Sequence, residues 1–348
     1  MTFSIVNSLP EALWSQFVEQ HPEGNIFHTP EMFHVFEQTK GYTPAIWAAV
    51  GDGDILALFL PVHISLNTGL LRRLTTRSIV FGGLLVNPKC NDHSILADLL
   101  KAYQQSVGYG SLFTEIRNVS CCDHFRSSLA QVRFFHEDHL NYLIDLAPPP
   151  EEVFKRIGHR TQRNIRHAMN QGKVEIREIS SREGVVQSDV LIRKTYGNAK
   201  VPLAHRSLFE NAFEILHKKG MIQFTSAFVG EVPAATSVEL LYKGKVYGWY
   251  GGMDREYRAF VPNEVLMWHI LRTFCERGFQ QYDFGGAGKP NETYGVRDFK
   301  AKFGGNLVNY GRNTWIPHKI LFQLSRMGYT AYRRVFTGFS QPGKGGKQ

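Results

Sequence analysis

The sequence predicts an α/β protein, of the α+β kind, made of two similar domains in tandem. Three observations carry this expectation. The chain has 348 residues, enough for two domains that each bury a core of ordinary size. The order strand, strand, strand, helix, strand occurs twice, with nearly equal spacing in the later part, as two related units would produce. Between the copies stands Pro148–Pro149–Pro150, a stiff segment that ends the strand before it.

The first copy opens with AIWAAVGDGDILALFLPVHI, from Ala45 to Ile64, which reads as a hairpin turning at Gly51–Gly53. Val80–Phe81–Gly82–Gly83 follows, then a helix over Ser94–Gln105 stopped at Gly110, then the strand SLFTEIR from Ser111. The second copy has its hairpin from Phe224 to Leu241, turning at Gly230–Pro233, followed by Trp249–Tyr250–Gly251–Gly252. A helix over Asn263–Arg277 comes next, stopped at Gly278, and then the strand FQQYDF from Phe279. A Gly just past each helix supplies a left-handed C-terminal cap. The strand Leu140–Leu146 reads as the end of the first domain. The domains are therefore expected at residues 1–147 and 151–336, with a disordered polar tail at 337–348.

Composition narrows the function classes. Apolar and charged fractions are those of a soluble globular protein. The formal charge of +9 favours an anionic partner such as tRNA, a nucleotide-sugar or an acidic membrane face, without choosing among them. The opening MTFSIVNSLPEALWSQF lacks a basic leader before an apolar core, and no apolar run reaches bilayer length. Cys90, Cys121, Cys122 and Cys275 show no CxxC pair. They read as reduced thiols of a cytoplasmic protein. His136 and His139 lack a third ligand cluster, so no metal is expected.

Two segments stand out for chemistry. Glu151–Gln171, EEVFKRIGHRTQRNIRHAMNQ, reads as one helix ended by Gly172. Val153, Phe154, Ile157, Thr161, Ile165, Ala168 and Met169 share one side; Arg156, His159, Arg160, Arg163, Arg166 and His167 share the other. A face so purely positive suits phosphate or RNA. The second segment, YDFGGAGKPNETYGVRDFKAKFGG from Tyr282 to Gly305, is a strand ending in a Gly pair, a polar loop, then Phe299–Lys300 and a second Gly pair. Read as a strand, its end places Lys300 and Lys302 on one face and Phe299 and Phe303 on the other. A Lys held there can meet a developing negative charge. The bland alternative is a hairpin with solvated lysines. A basic amphipathic stretch over Lys319–Phe336 either packs on the second domain or touches the inner face of the membrane.

The run from Tyr250 to Asp283, where the strand Lys245–Tyr250 gives way to the loop Asp254–Pro262 and a helix starting near Asn263, is laid out like a GNAT acyl-transfer domain. Together with YDFGG, GVRDFKAKFGG and the arginine-rich TQRNIRHAMNQG, it resembles the FemABX family over about Phe27 to Trp315. The resemblance implies two tandem GNAT-like domains, each a mixed central sheet flanked by helices, with the active site in the second. It implies transfer of an aminoacyl group to an amine of a cell-envelope precursor such as a peptidoglycan stem peptide. The donor is then a co-substrate, aminoacyl-tRNA, and no cofactor is bound permanently. The two glycines of the usual diphosphate loop are missing here, and the long helical hairpin by which some members contact tRNA is not evident.

On this resemblance Lys300 is the oxyanion cation, with Lys302 as the neighbouring alternative and Phe299 beside them. Glu239 and Asp283 are candidate bases for the acceptor amine. Arg166 and Arg258 are phosphate contacts, and Tyr250 and Tyr257 shape the acceptor site. Each also has a structural reading, a paired carboxylate or a core aromatic. Two rival functions stay open: a GNAT enzyme using acyl-CoA or an acyl carrier protein on an amino sugar, and a silent module that binds a nucleotide- or lipid-linked precursor.

Overall fold

The computed structural model describes residues 2–65, 75–90, 94–108, 110–199, 201–325 and 327. The first half runs β1 (Ser4–Val6), α1 (Glu11–Gln20), α2 (Pro30–Glu37), β2 (Tyr42–Pro44), β3 (Trp47–Gly51), β4 (Asp54–Phe59), β5 (Pro61–Ile64), β6 (Arg77–Gly82), β7 (Leu85–Val86), α3 (Ser94–Val107), β8 (Thr114–Asn118), α4 (Arg126–Gln131), β9 (Phe135–Glu137) and β10 (Leu140–Asp145). The second runs α5 (Pro150–Lys155), α6 (His159–Gln171), β11 (Val174–Glu178), α7 (Arg182–Asn198), α8 (Ser207–Leu216), β12 (Ile222–Val229), β13 (Val232–Tyr242), β14 (Lys245–Met253), α9 (Pro262–Glu276), β15 (Gln281–Gly286), α10 (Gly295–Ala301), β16 (Asn306–Asn309) and β17 (Arg312–Trp315).

The internal echo has a structural counterpart. In each half a hairpin leads to a third strand, a helix follows, and the next strand pairs parallel to the third. β6 pairs parallel with β8, and β14 with β15. Asp52 and Gly53 both adopt positive φ in the β3–β4 turn, the geometry that two-residue hairpins demand. The two copies differ in how far the parallel pairing runs. β6 and β8 stay together from Ser78–Thr114 to Gly82–Asn118. β14 and β15 pair only from Lys245–Gln281 to Tyr247–Asp283. Beyond Tyr247 the strands part, and a fork opens in the second half.

Two expectations are corrected here. The strand β10, assigned to the first domain, lies in the seven-stranded sheet of the second half, ordered β11-β12-β13-β14-β15-β10-β16. Conversely β17 lies in the six-stranded sheet β2-β5-β6-β8-β17-β9 of the first half. A boundary at 147 therefore divides the chain but not the sheets. The reason is pairing: β10 is sandwiched between β15 and β16, with Leu143 opposite Asp283 and Asn306. The remaining strands form a four-stranded sheet, β1-β3-β4-β7. The segment 151–171 is two helices rather than one. Gly158 sits outside helical geometry (φ −56°, ψ 136°) as the N-cap of α6, and its N–H donates to the Lys302 carbonyl at 2.8 Å. Gly172 ends α6 in the left-handed region, as expected.

A shared core joins the halves. Met32, Val35 and Phe36 of α2 pack in one cluster with Leu208 and Phe209 of α8, Phe224, Val238 and Tyr247. A second core, including Ile165, Leu266, Ile270, Phe274, Tyr282 and Phe303, lies under the second sheet. Of the face assigned to burial on α6, Thr161, Ile165 and Ala168 are buried and Met169 is exposed. The stretch expected as a helix over Lys319–Phe336 is helical at 319–325 and 327; its remainder and the tail lie outside the described residues. No helix among the described residues is long and apolar enough to cross a membrane.

Candidate active site

The fork is shaped by a bulge and a close contact. Along β13 and β14, Val238 pairs with Tyr250 but Glu239 pairs with Gly248, so Trp249 is the extra residue. Such a bulge bends its strand and re-aims its side chains. At Gly248 a Cβ would stand 2.6 Å from the Tyr282 hydroxyl, so a side chain there would push the Tyr282 ring out from between the strands. Past Tyr247 the edge of β14 has left its β15 partner, and backbone N–H groups on such an edge are free to bind an oxygen.

At the root of the fork lie Asp283 and Lys300, both buried. Asp283 accepts from the Gly285 N–H at 2.7 Å and from Asn141 Nδ2 of β10 at 3.4 Å. Burial raises its carboxyl to about 6, against the lowering effect of the Gly285 N–H, Lys300 and Asn141. Lys300 is only 8% exposed. Burial lowers its ammonium to about 8, and Asp283 opposes that shift. The expectation that Lys300 and Lys302 sit on a strand is corrected: Lys300 lies in α10 and Lys302 caps its C-terminus. Helical geometry sends the two side chains apart. Lys300 Nζ donates to three carbonyls, Phe284 (2.6 Å), Gly285 (3.2 Å) and Gly286 (2.7 Å). Its three N–H bonds are thus all engaged, and the ammonium clamps the end of β15. Lys302 pairs instead with Glu264 at 2.9 Å, in the first turn of α9. Phe299 packs edge-on against Phe303 at 5.2 Å and belongs to the wall under the sheet.

Sequence reasoning missed Arg297. It donates to the carbonyls of Ala287 (2.7 Å), Pro290 (3.3 Å) and Lys289. One turn of α10 therefore carries two cations that hold the loop from Phe284 to Pro290 by its carbonyls. The second Gly pair has a steric basis. Gly305 has φ 99°, and a Cβ there would stand 2.5 Å from the Leu143 carbonyl oxygen, so only Gly lets the chain re-enter beside β10.

The other expected residues are spread more widely. Glu239 is 0% exposed. It accepts from Ser237 and from the Tyr282 hydroxyl at 3.3 Å, while Oε2 has no partner among the described residues. Burial raises it to about 8, so it is a neutral acid inside the sheet. Tyr250 packs edge-on against Phe209 (4.9 Å) and near Tyr196 (5.8 Å). Its phenol lies within electrostatic reach of Tyr42, Arg77 and Arg117 of the first half, so it sits where the two halves meet. Tyr257 and Arg258 lie in a 3-10 turn, Arg255–Phe260, that leads into α9; Arg258 is exposed. Arg166 is exposed on α6 with its guanidinium 5.0 Å over Phe154. Asn164 on α6 donates to Glu264 at 3.1 Å, and Lys173 lies 6.0 Å over Phe260. The basic helix and the Arg258 turn thus flank the same helix start, and Lys302, two residues after Lys300, joins it through Glu264.

Residues 157–300 match the model of the acetyltransferase (GNAT) domain. Over 91 residues the chain is 33% identical to the lipid II:glycine glycyltransferase of Staphylococcus haemolyticus (strain JCSC1435) and 34% identical to that of Staphylococcus aureus. A crystal structure of FemX superposes with a TM-score of 0.70 at 16% identity, over 93% of this chain and 99% of that one. The chain thus carries a GNAT domain and shares the fold of FemX. The matched segment is 24% of this chain and 22% of the curated relatives, so the chain spans about a fifth of their length. The same fold occurs in a tandem GNAT protein of the clavulanic acid pathway, TM-score 0.57 at 11% identity, over 91% of this chain and 99% of that one. L-PGS from Bacillus licheniformis has it too, TM-score 0.55 at 14% identity, over 92% and 97%. These likenesses agree with the two copies of hairpin, strand, helix and strand described above.

Proposed function

We propose that the chain is a FemABX-like N-acyltransferase that moves an aminoacyl or acyl group to an amine of a cell-envelope precursor such as a peptidoglycan stem peptide. The observation that carries this reading is the fork in the second sheet, with Asp283 and Lys300 buried at its root. An acyl carbonyl laid along the parted strands meets backbone N–H groups of β14, and the positive charge of Lys300 lies at the end of β15. The acceptor amine attacks the carbonyl carbon, forming the C–N bond. The bond from that carbon to the donor's oxygen (sulfur for a thioester) breaks, and the leaving group takes up a proton. The amine's proton passes to a base. Asp283, ionised above about 6, suits that role better than Glu239, which is neutral to about 8. The enzyme's share is positioning and electrostatics; no covalent intermediate is required.

Aminoacyl-tRNA is the donor we favour. The outward face of α6 carries Arg160 and Arg163, which pair with no carboxylate among the described residues. Such a face suits a polyanionic backbone. The start of α9, where a free helix terminus would bind a diphosphate, instead holds Pro262 and the Glu264–Lys302 ion pair. In this reading Arg258 and Arg166 flank the donor, Tyr250 and Tyr257 border the acceptor path, and the precursor is lipid- or nucleotide-linked, met at the inner face of the membrane. Mass spectrometry of products from paired donor pools tests it. Transfer from charged tRNA that ribonuclease abolishes is the expected result. Transfer from acyl-CoA that is indifferent to ribonuclease replaces the donor assignment, and no mass shift from any donor removes the enzyme reading.

A further inference from the structure

The six-stranded sheet carries a charge cluster that neither the fork nor the basic helix uses. Arg77 begins β6, Glu115 and Arg117 lie two apart on β8, and Arg312 begins β17. These are three adjacent strands. Ile79 aligns with Glu115 and Arg312 with Arg117, so the period of two puts all four side chains on one face. Arg117 and Arg312 stand directly opposite each other, an arrangement that like charges disfavour. Glu115 relieves part of the repulsion: its Oε1 accepts from Arg117 Nε at 2.7 Å and from Arg312 Nη1 at 3.2 Å. Arg312 Nη2 meets His139 Nε2 at 2.9 Å, a ring that burial and Arg312 hold near 4 and therefore neutral.

Arg77 has no such partner. It pairs with no carboxylate among the described residues, and its Nε is buried without an acceptor. Burial and then Arg117 push its guanidinium down from its ordinary value, and the same two causes act on Arg312. Three guanidiniums against one carboxylate leave a formal +2, with most of their five N–H donors each still open. Half-buried charge of one sign is costly unless something neutralises it. The cluster adjoins the second half, where Tyr250 lies within electrostatic reach of Arg77 and Arg117 and Tyr294 within reach of Arg312. It also borders the fork. A Cβ on Gly286, whose carbonyl receives Lys300, would stand 3.7 Å from Arg312 Nη2.

We propose that Arg77, Arg117 and Arg312 form an oxyanion subsite that seats a carboxylate or phosphoryl group of the acceptor beside its reacting amine. The placement beside the fork rests on the acyltransferase reading; the anion site itself does not. Glu115 holds two of the three guanidiniums apart, and Arg77 supplies the donors that the ligand completes. The subsite thus selects acceptors that carry an anion within a few bonds of the amine.

Isothermal titration of the full chain, without any donor, tests this with two probes, malonate and inorganic pyrophosphate. Saturable one-site binding of either is expected, and which one saturates names the source, carboxylate or phosphoryl. Arg77→Gln is expected to weaken it at least tenfold, and Arg160→Gln/Arg163→Gln on α6 to leave it unchanged. Arg117→Gln serves as the second variant if Arg77→Gln lowers the yield of folded protein. Absence of saturable binding, or equal binding by wild type and Arg77→Gln or Arg117→Gln, overturns the subsite. Equal loss in the α6 variant does so too. Because no turnover is needed, intact binding with no product in any donor assay would remove the acyltransferase reading and leave the subsite standing.

Discussion

In the proposed mechanism Asp283 and Lys300 set the working pH of the fork. That mechanism needs the carboxylate ionised and the ammonium charged, and the two titrate at about 6 and about 8. A bell-shaped profile of kcat/KM with limbs near those values is the expected outcome. Asp283→Asn should erase the acidic limb along with most of the rate. Lys300→Met removes the charge and frees three carbonyls at once, and a loss of about 100-fold or more in kcat is expected in steady-state assays. Glu239 makes a different prediction, about stability. Its folded-state value near 8 lies above its ordinary 4.5. Below 4.5 the group is neutral in both states and has no effect. As pH rises from there the unfolded chain ionises while the folded one does not, so stability falls until about 8. Glu239→Gln abolishes that slope. Its gain in Tm over wild type should be larger near pH 8 than near pH 4.5, and an equal shift at both would refute the assignment.

At the scale of elements, α6 and α10 divide the positive charge between binding and scaffolding. The guanidiniums of Arg160 and Arg163 point outward. If they contact phosphates, Arg160→Gln/Arg163→Gln should lower the slope of log affinity against log salt for tRNA by about 1.5. An unchanged slope would take RNA off this face. On α10 the cations turn inward to backbone carbonyls, so Arg297→Ala should slow turnover by loosening the loop after β15 while leaving the salt slope alone. The sequence made local elements legible. The Asp52–Gly53 turn, the helix ending at Gly278 and the left-handed Gly172 all follow from neighbours a few residues away. GVRDFKAKFGG misled because Phe299, Ala301 and Phe303 alternate with Lys300 and Lys302 as a strand would. Two inward-facing hydrogen-bonding side chains on α10 make that segment a helix, and nothing in its own composition announces the carbonyls they reach. The Gly158 break is similar, since its partner is the Lys302 carbonyl.

The whole molecule is interlocked by its strands. β10 crosses into the second sheet and β17 returns to the first. The Arg77–Arg117–Arg312 cluster exists only because of that return, and residues so far apart in sequence give no local signal of meeting. Asn141 reaches Asp283 for the same reason, through β10. Heat unfolding should therefore show one transition, with both halves melting together. Ending the chain at Tyr310 would leave β8 and β9 without the strand between them. Such bare edges recruit other chains, so scanning calorimetry and gel filtration should show lowered stability and self-association in that variant.

The crossing strands also order events during synthesis. Leu140–Asp145 leaves the ribosome long before Gln281–Gly286 and Asn306–Asn309 exist to flank it. The first sheet likewise waits for Arg312–Trp315 to fill its gap. Neither half can finish while the peptide is short, and the nascent chain must keep two sheets incomplete until Trp315 has been added.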